Sequence, residues 1–314
     1  MKLKTGLVYS PEFQKHVTGS GHPERPQRTE AIYAALQKAD FGAELALIKP
    51  THAALEDLLR CHTSEYIETA KKDIASGAGL LSTGDTNICR DSYDIALLAA
   101  GGIIKAVDQV CRGELKNAFC VVRPPGHHAT PTKGMGFCLF DNIAIGARYA
   151  QAKHAIKRVL IVDWDVHHGN GTQDIFYSDG TVLFFDTHQS PLYPGTGDAN
   201  ERGAGKGLGF TINCPFPAGT GGTEILDAYE KKLLPAARDF KPDLVMISAG
   251  FDSRIGDPLG SFRLTDDDYI AMTKFVMKIA DEFAHGKIVS VLEGGYSLDG
   301  LAKAATAHVR ALEN

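Results

Sequence analysis

Five short apolar runs recur along the chain: Ala118-Phe-Cys-Val-Val122, Val159-Leu-Ile-Val162, Val182-Leu-Phe-Phe185, Leu244-Val-Met-Ile247 and Ile288-Val-Ser-Val-Leu292. Each is continuous rather than alternating and rich in β-branched or aromatic side chains, as expected of a strand covered on both faces. Helical stretches separate them, over Ser92 to Val110, Asn142 to His154, Thr223 to Phe240 and Thr265 to His285. Strands that alternate with helices connect by βαβ crossovers, so the runs predict an α/β chain, a parallel sheet with helices on both sides. Glycine and proline gather between these elements, at Thr18 to Pro23, Gly195 to Gly209 and Ala218 to Gly222, and none of these segments reads as an interdomain linker. Residues 1–314 therefore read as one domain, with the glycine-dense Gly195–Gly209 loop suited to motion.

Composition narrows the function. Apolar residues make up 44% and charged residues 23%, enough for a sizeable core and contrary to global disorder. The apolar stretch Ile95 to Ile104 stops at Lys105, short of the ~18 residues a membrane helix needs. Met1 to Gly6 has no signal-peptide core. Six cysteines without Cys-x-x-Cys spacing read as free thiols in a reducing compartment. With 33 Lys and Arg against 38 Asp and Glu, the net charge is −5 and no basic cluster invites a phosphate backbone. The expected class is a cytoplasmic enzyme or binding protein with neither nucleic acid nor membrane as partner. No pattern specifies an oligomeric state.

Polar residues follow each run: Arg123-Pro-Pro-Gly-His-His128, Asp163-Trp-Asp-Val-His-His-Gly-Asn170, Asp186-Thr-His-Gln189, Ser248-Ala-Gly-Phe-Asp252 and Glu293-Gly-Gly-Tyr296. Parallel sheets bind ligands beyond the carboxyl ends of their strands, so these segments converge on one crevice. In extended chain Asp163, Asp165 and His167 share a face. Asp165 and His167 form a two-ligand arm, and Asp252 from another strand end supplies a third ligand. Two carboxylates and a neutral imidazole balance a divalent cation and leave a coordination position open, the catalytic pattern, with zinc or ferrous iron both compatible. The plainer alternative has the aspartates capping a turn and His167 hydrogen-bonded in the core.

His127 and His128 follow a stiff Pro-Pro-Gly segment, and an imidazole beside metal-bound water can accept a proton and later protonate a leaving amine. Asp163 and Asn170 are the orienting partners, one for each ring. Tyr296, after two glycines, can donate a hydrogen bond to a carbonyl oxygen that becomes an oxyanion.

These segments, with Gly134-Met-Gly-Phe-Cys138, Tyr193-Pro-Gly-Thr-Gly197 and His22-Pro-Glu-Arg-Pro26, resemble the zinc-dependent histone deacetylase family from about Tyr9 to Leu301. The resemblance implies the arginase/deacetylase fold, a three-layer α/β/α domain around an eight-stranded parallel sheet. It implies zinc on Asp165, His167 and Asp252, an acid/base pair at His127 and His128, and a carbonyl-polarising Tyr296. Within the pair it favours His128, with Asn170, for proton transfer and His127, with Asp163, for electrostatic support.

By the same resemblance Gly136, Phe137, Tyr193 and Leu259 line a narrow tunnel for an acylated side chain. Asn170 and the Leu292-Glu-Gly-Gly-Tyr296 motif look like the class II branch, as in bacterial class II-like amidohydrolases; class I usually has Asp and Gly there. Family members hold structural potassium, which by position implicates Asp163, Asp165, His167 and Asp186 in one site and Phe176, Asp179, Val182 and Phe210 in another. Asp186 departs from the more common Ser. Arg28 matches an arginine beside an internal cavity, where it could bind departing acetate, with a surface salt bridge as the alternative. Thr86 falls near a substrate-backbone contact on the rim.

The implied reaction is metal-dependent hydrolysis of N-acyl, chiefly N-acetyl, amines. The expected substrate is an acetyl-lysine side chain of a protein. An acetylpolyamine or other acetylated small amine is the first alternative; a dinuclear manganese ureohydrolase and a non-catalytic acyl-lysine binder are the others.

Overall fold

The computed structural model describes residues 3–42 and 44–313. Met1 and Lys2, part of the segment read for a leader, lie outside them. Eight strands form one wholly parallel sheet: β1 (Thr5–Val8), β2 (Ala46–Ile48), β3 (Asn117–Cys120), β4 (Val159–Asp163), β5 (Val182–Gln189), β6 (Thr211–Phe216), β7 (Leu244–Ala249) and β8 (Ile288–Leu292). Their spatial order is β2-β1-β3-β8-β7-β4-β5-β6. The last two strands thus insert between β3 and β4, and five contiguous strands, β3-β8-β7-β4-β5, carry the polar turns read from the sequence.

The helices are α1 (Gln27–Lys38), α2 (Leu55–Leu58), α3 (Ser64–Ser76), α4 (Ser92–Cys111), α5 (Asn142–Lys153), α6 (Asn170–Phe176), α7 (Gly222–Ala228), α8 (Leu234–Phe240), α9 (Asp266–Phe283) and α10 (Leu298–Glu313). Two apolar layers explain the continuous runs. In β4, Val159 and Ile161 pack with α3, α4 and α5 on one face, while Leu160 and Val162 pack with α1, α8, α9 and α10 on the other. Alternate side chains point to opposite faces, so a strand covered on both sides must be apolar at every position.

Two local expectations change. The helix expected from Thr223 to Phe240 is interrupted by a wider π turn at Tyr229–Leu233. Pro235 begins the following helix: it lacks an N–H, and its ring clashes with a carbonyl one turn back in a regular helix. The Gly195–Gly209 loop is anchored. Thr196 Oγ1 lies 2.8 Å from His168 Nδ1, Gln173 Nε2 donates to Glu201 Oε2 at 2.6 Å, and Asn213 Nδ2 reaches the carbonyl of Glu201 at 3.3 Å. No helix among the described residues is long and apolar enough to cross a membrane.

Candidate metal centre

Asp163 closes β4, and Asp165 and His167 follow in the turn beyond it. Asp165 Oδ1 accepts the backbone N–H of His167 at 2.9 Å and lies 3.0 Å from its Nδ1. Asp252, beyond β7, brings Oδ2 to 3.2 Å from the same nitrogen. All three residues are buried, and their ligand atoms lie within 4.8 Å of one another.

The other oxygens are spoken for: Asp252 Oδ1 accepts from Val166 N at 2.9 Å and Asp165 Oδ2 from Gly294 N at 2.7 Å. Asp252 Oδ2 is a buried acceptor without a hydrogen bond. Such an orphan is costly and calls for an explanation; a divalent cation among two carboxylates and an imidazole supplies one, and the donors fit it. Burial pulls the His167 pKa down, but the hydrogen bond to Asp165 and the neighbouring carboxylate of Asp252 push it up to about 10 in the metal-free protein. Gly294 closes the loop over these ligands, since a Cβ there would meet Asp252 Oδ2 at 2.0 Å.

The tandem histidines lie beside this group with different partners. His127 Nδ1 is 2.9 Å from Asp163 Oδ2, and His128 Nδ1 is 2.8 Å from Asn170 Oδ1. Glu293 Oε2 holds their turn by accepting from Gly126 N at 2.7 Å and His127 N at 3.1 Å. Burial lowers both pKa values. For His127 the carboxylates of Asp163, Asp165 and Glu293 outweigh burial and raise it well above the imidazole range. For His128 burial, reinforced by His127 and His167, leaves it well below. Adjacent rings thus differ in charge because one faces a carboxylate and the other a carboxamide.

Tyr296 lies beyond β8. Burial, then Asp252, raises its pKa well above the phenol range, so it keeps its O–H. A cavity of roughly 290 Å³ opens onto it, with Tyr296, His128 and His167 lining one part and Gly136, Phe137, Leu192, Tyr193, Leu259 and Asp85 the rest. The Tyr193 ring stands perpendicular to His128 at 5.2 Å, and Phe137 perpendicular to Tyr296 at 6.0 Å. A larger crevice of roughly 680 Å³ beside β6, lined by Arg158, Phe210 and Lys232, contains none of these histidines and neither Asp165 nor Asp252.

The remaining sequence-predicted residues fall elsewhere. Asp186 pairs in register with Asp163 across β4 and β5; its carboxylate accepts from Gly169 N at 2.9 Å and lies 2.7 Å from His188 Nδ1. Phe176, Asp179, Val182 and Phe210 lie around the opposite, amino end of β5: Asp179 N donates to the Phe176 carbonyl at 2.9 Å and Phe184 N to that of Phe210 at 2.8 Å. Two readings need correction. Thr86 is fully buried, its hydroxyl donating to the Cys138 carbonyl at 3.0 Å, and its neighbour Asp85 is the residue that reaches the cavity. Arg28 forms no surface salt bridge: it is wholly buried, with donors engaged by Glu24 and by the carbonyls of Glu293 and Gly295.

Asp85, Leu192 and Glu293 were missed as site residues. Asp85 accepts from Gly136 N at 2.7 Å, with Tyr193 Oη 3.4 Å from the same oxygen. A lone aspartate in a polar loop carries little signal, although Glu293 stands inside a motif already recognised.

The Histone deacetylase domain family matches residues 22–312. A probable deacetylase of Archaeoglobus fulgidus is 44% identical over 300 residues, covering 95% of this chain and 83% of the relative. The histone deacetylase-like amidohydrolase of Pseudomonas aeruginosa is 41% identical over 279 residues, covering 88% and 73%. The solved structure of the HDA15 HD domain superposes with a TM-score of 0.93 at 38% identity, covering 99% of this chain and 90% of that one. Together with the eight parallel strands, that superposition makes the architecture the three-layer arginase/deacetylase fold. Matched from residue 22 to residue 312, the chain belongs to the histone deacetylase family.

Proposed function

We propose that this enzyme deacetylates lysine side chains of peptides or proteins, with Asp165, His167 and Asp252 holding a divalent cation, zinc by the family resemblance, with ferrous iron compatible with the same donors. Family membership makes it a metal-dependent hydrolase of acetylated amines. The observation that carries the finer reading is the cavity lining. Phe137, Leu192, Tyr193 and Leu259 form apolar walls suited to a tetramethylene stem. Asp85 is the single carboxylate among the lining residues, and one of its oxygens is committed to Gly136 N. The other suits the backbone N–H of a peptide. A polyamine carries further ammonium groups that favour several carboxylates, where this cavity has leucines.

When bound, the divalent cation polarises the amide carbonyl and makes water nucleophilic at neutral pH. His128, neutral and anchored through Nδ1 by Asn170, has Nε2 left to accept a proton and to return it to the leaving amine. His127, cationic beside Asp163, supports the negative charge that develops. Tyr296 donates its O–H to the carbonyl oxygen as it becomes an oxyanion. The family resemblance extends this reading to structural potassium, at Asp163, Asp165, His167 and Asp186 and at Phe176, Asp179, Val182 and Phe210. Six free thiols suit a cytoplasmic setting, and residues 1–314 act as one catalytic domain.

The test compares an acetyl-lysine peptide with acetylputrescine and acetylspermidine, using enzyme loaded with zinc or iron and then chelated. A kcat/KM at least tenfold higher for the peptide is expected; preference for an acetylpolyamine overturns the lysine assignment, and no turnover of any substrate overturns the hydrolytic reading. Tyr296→Phe should lower kcat by about 10²–10³ with metal content unchanged. Near-normal turnover would remove the role given to the phenol.

A further inference from the structure

Asp257 lies on the loop that follows Asp252 and touches neither the metal ligands nor the histidines through any hydrogen bond described above. Its carboxylate instead joins two parts of the substrate cavity. Oδ2 accepts from the backbone N–H groups of Tyr296 at 2.7 Å and Ser297 at 3.2 Å, and Oδ1 accepts from Leu259 N at 3.0 Å. Tyr296 and Ser297 lead directly into α10, where backbone N–H groups lack helical partners and a carboxylate is electrostatically welcome.

The peptide unit between Gly295 and Tyr296 is held at both ends. Its N–H goes to Asp257, and its carbonyl accepts from Arg28 Nε at 2.6 Å. Arg28 also donates to the Glu293 carbonyl and sets its guanidinium 5.0 Å from the centre of the Tyr296 ring. Gly294 and Gly295 precede the tyrosine, and paired glycines give the backbone little preference of its own. Holding this peptide plane on one side of the Tyr296 Cα and the Ser297 N–H on the other restrains the backbone torsions of Tyr296, and with them the direction in which its side chain leaves the chain.

We infer that Asp257 is a positioning residue for the hydrolysis: with Arg28 it clamps the Gly295–Tyr296 peptide, and through Leu259 it ties the depth of the phenol to the cavity wall. The inference rests on the reading that Tyr296 donates to the substrate carbonyl. The loss of a clamp of this kind displaces a catalytic group without removing it, and displacements of about 1 Å cost up to about 10²-fold in rate.

The test places Asp257→Ala and Asp257→Asn in the wild-type and Tyr296→Phe backgrounds. It measures kcat, KM and metal content for each, and amide hydrogen exchange in the metal-free proteins. In the wild-type background Asp257→Ala should lower kcat about 10–100-fold, with metal content unchanged and KM within about threefold. In the Tyr296→Phe background the same change should alter kcat less than about twofold, because no phenol remains to misplace. Exchange should quicken together at Tyr296, Ser297 and Leu259. Asp257→Asn, which keeps one acceptor oxygen, should recover part of the loss, and the same cycle read on it decides the matter if the alanine variant does not fold. Equal losses in both backgrounds, an unchanged kcat, or unaltered exchange overturns the clamp. A wild-type enzyme without turnover overturns the functional reading instead, and hydrogen exchange then judges the clamp alone.

Discussion

Two buried clusters of charge touch the Glu293–Tyr296 loop, and they obey different rules. In the first, Glu24 receives Arg123 in a bidentate pair, both contacts 2.8 Å, and Arg28 at 3.2 Å. Arg123 spends a further nitrogen on the carbonyls of Phe13 and His16. Burial would raise the Glu24 pKa, but Arg123 outweighs it and holds the carboxyl at about 2. In the second cluster Asp163, Asp165, Asp252 and Glu293 crowd around His127 and His167, and both Asp252 Oδ2 and Glu293 Oε1 are buried without hydrogen-bond partners. Burial and Asp165 push the Asp252 carboxyl up to about 7. A cluster whose charges are answered maintains shape; one short of positive charge is prepared to receive it.

The sharpest way to break this comparison is Asp252→Asn. It removes a proposed ligand, so metal content should fall from about one ion per chain to a small fraction, with at least about a 10³-fold loss of activity. The metal-free variant should be no less stable than the metal-free wild type, because a costly buried charge is gone. Metal analysis and urea unfolding read the two effects, and a marked destabilisation of the metal-free variant would put both clusters under one rule.

Glu24→Gln is the opposite case: it strands two guanidinium groups and should cost about 3–5 kcal/mol in urea unfolding. The folded pKa of Glu24 is depressed from 4.5 to about 2, so its contribution is complete above pH 4.5 and is lost as the pH falls through about 2. The gap between variant and wild type should close over that window. A cost below about 1 kcal/mol would mean that the first cluster does not depend on its balance of charge.

The smallest effect is protonic. His167 holds a proton in the metal-free protein up to about pH 10, so metal binding near pH 8 should expel about one proton per ion and weaken about tenfold for each unit of acidification. Calorimetric titration in buffers of different ionisation enthalpy measures the release. Binding without proton release would detach the ion from the imidazole.

The readability of the fold followed burial. All five predicted runs are strands, and they include the four central ones, where both faces demand apolar side chains. The strands left unread were β1, β2 and β6. Two of them, β2 and β6, are edge strands, where Asn213 and Pro215 are tolerated in β6, and β1 and β2 have only four and three residues. Likewise α1, α3 and α10 cover the sheet with one face and expose polar residues on the other, which weakens any continuous apolar signal.

In the candidate site, Asp165, His167, the tandem histidines and Tyr296 stood out in the sequence because chemistry-bearing residues recur directly after strands. Asp85 and Asp257 were not. Each acts through backbone N–H groups, which every sequence offers alike, so their significance lies in where a loop returns.

The sequence alone determined which donors stand at each strand end, because continuous apolar runs mark buried strands and the polar residues after them must lie at their carboxyl ends. Only the tertiary structure decided that β8 and β7 insert between β3 and β4, bringing His128, Tyr296, Asp252 and Asp165 into one crevice. Strand order depends on pairing between segments far apart in the chain, and local side-chain pattern carries no record of which neighbour each strand will take.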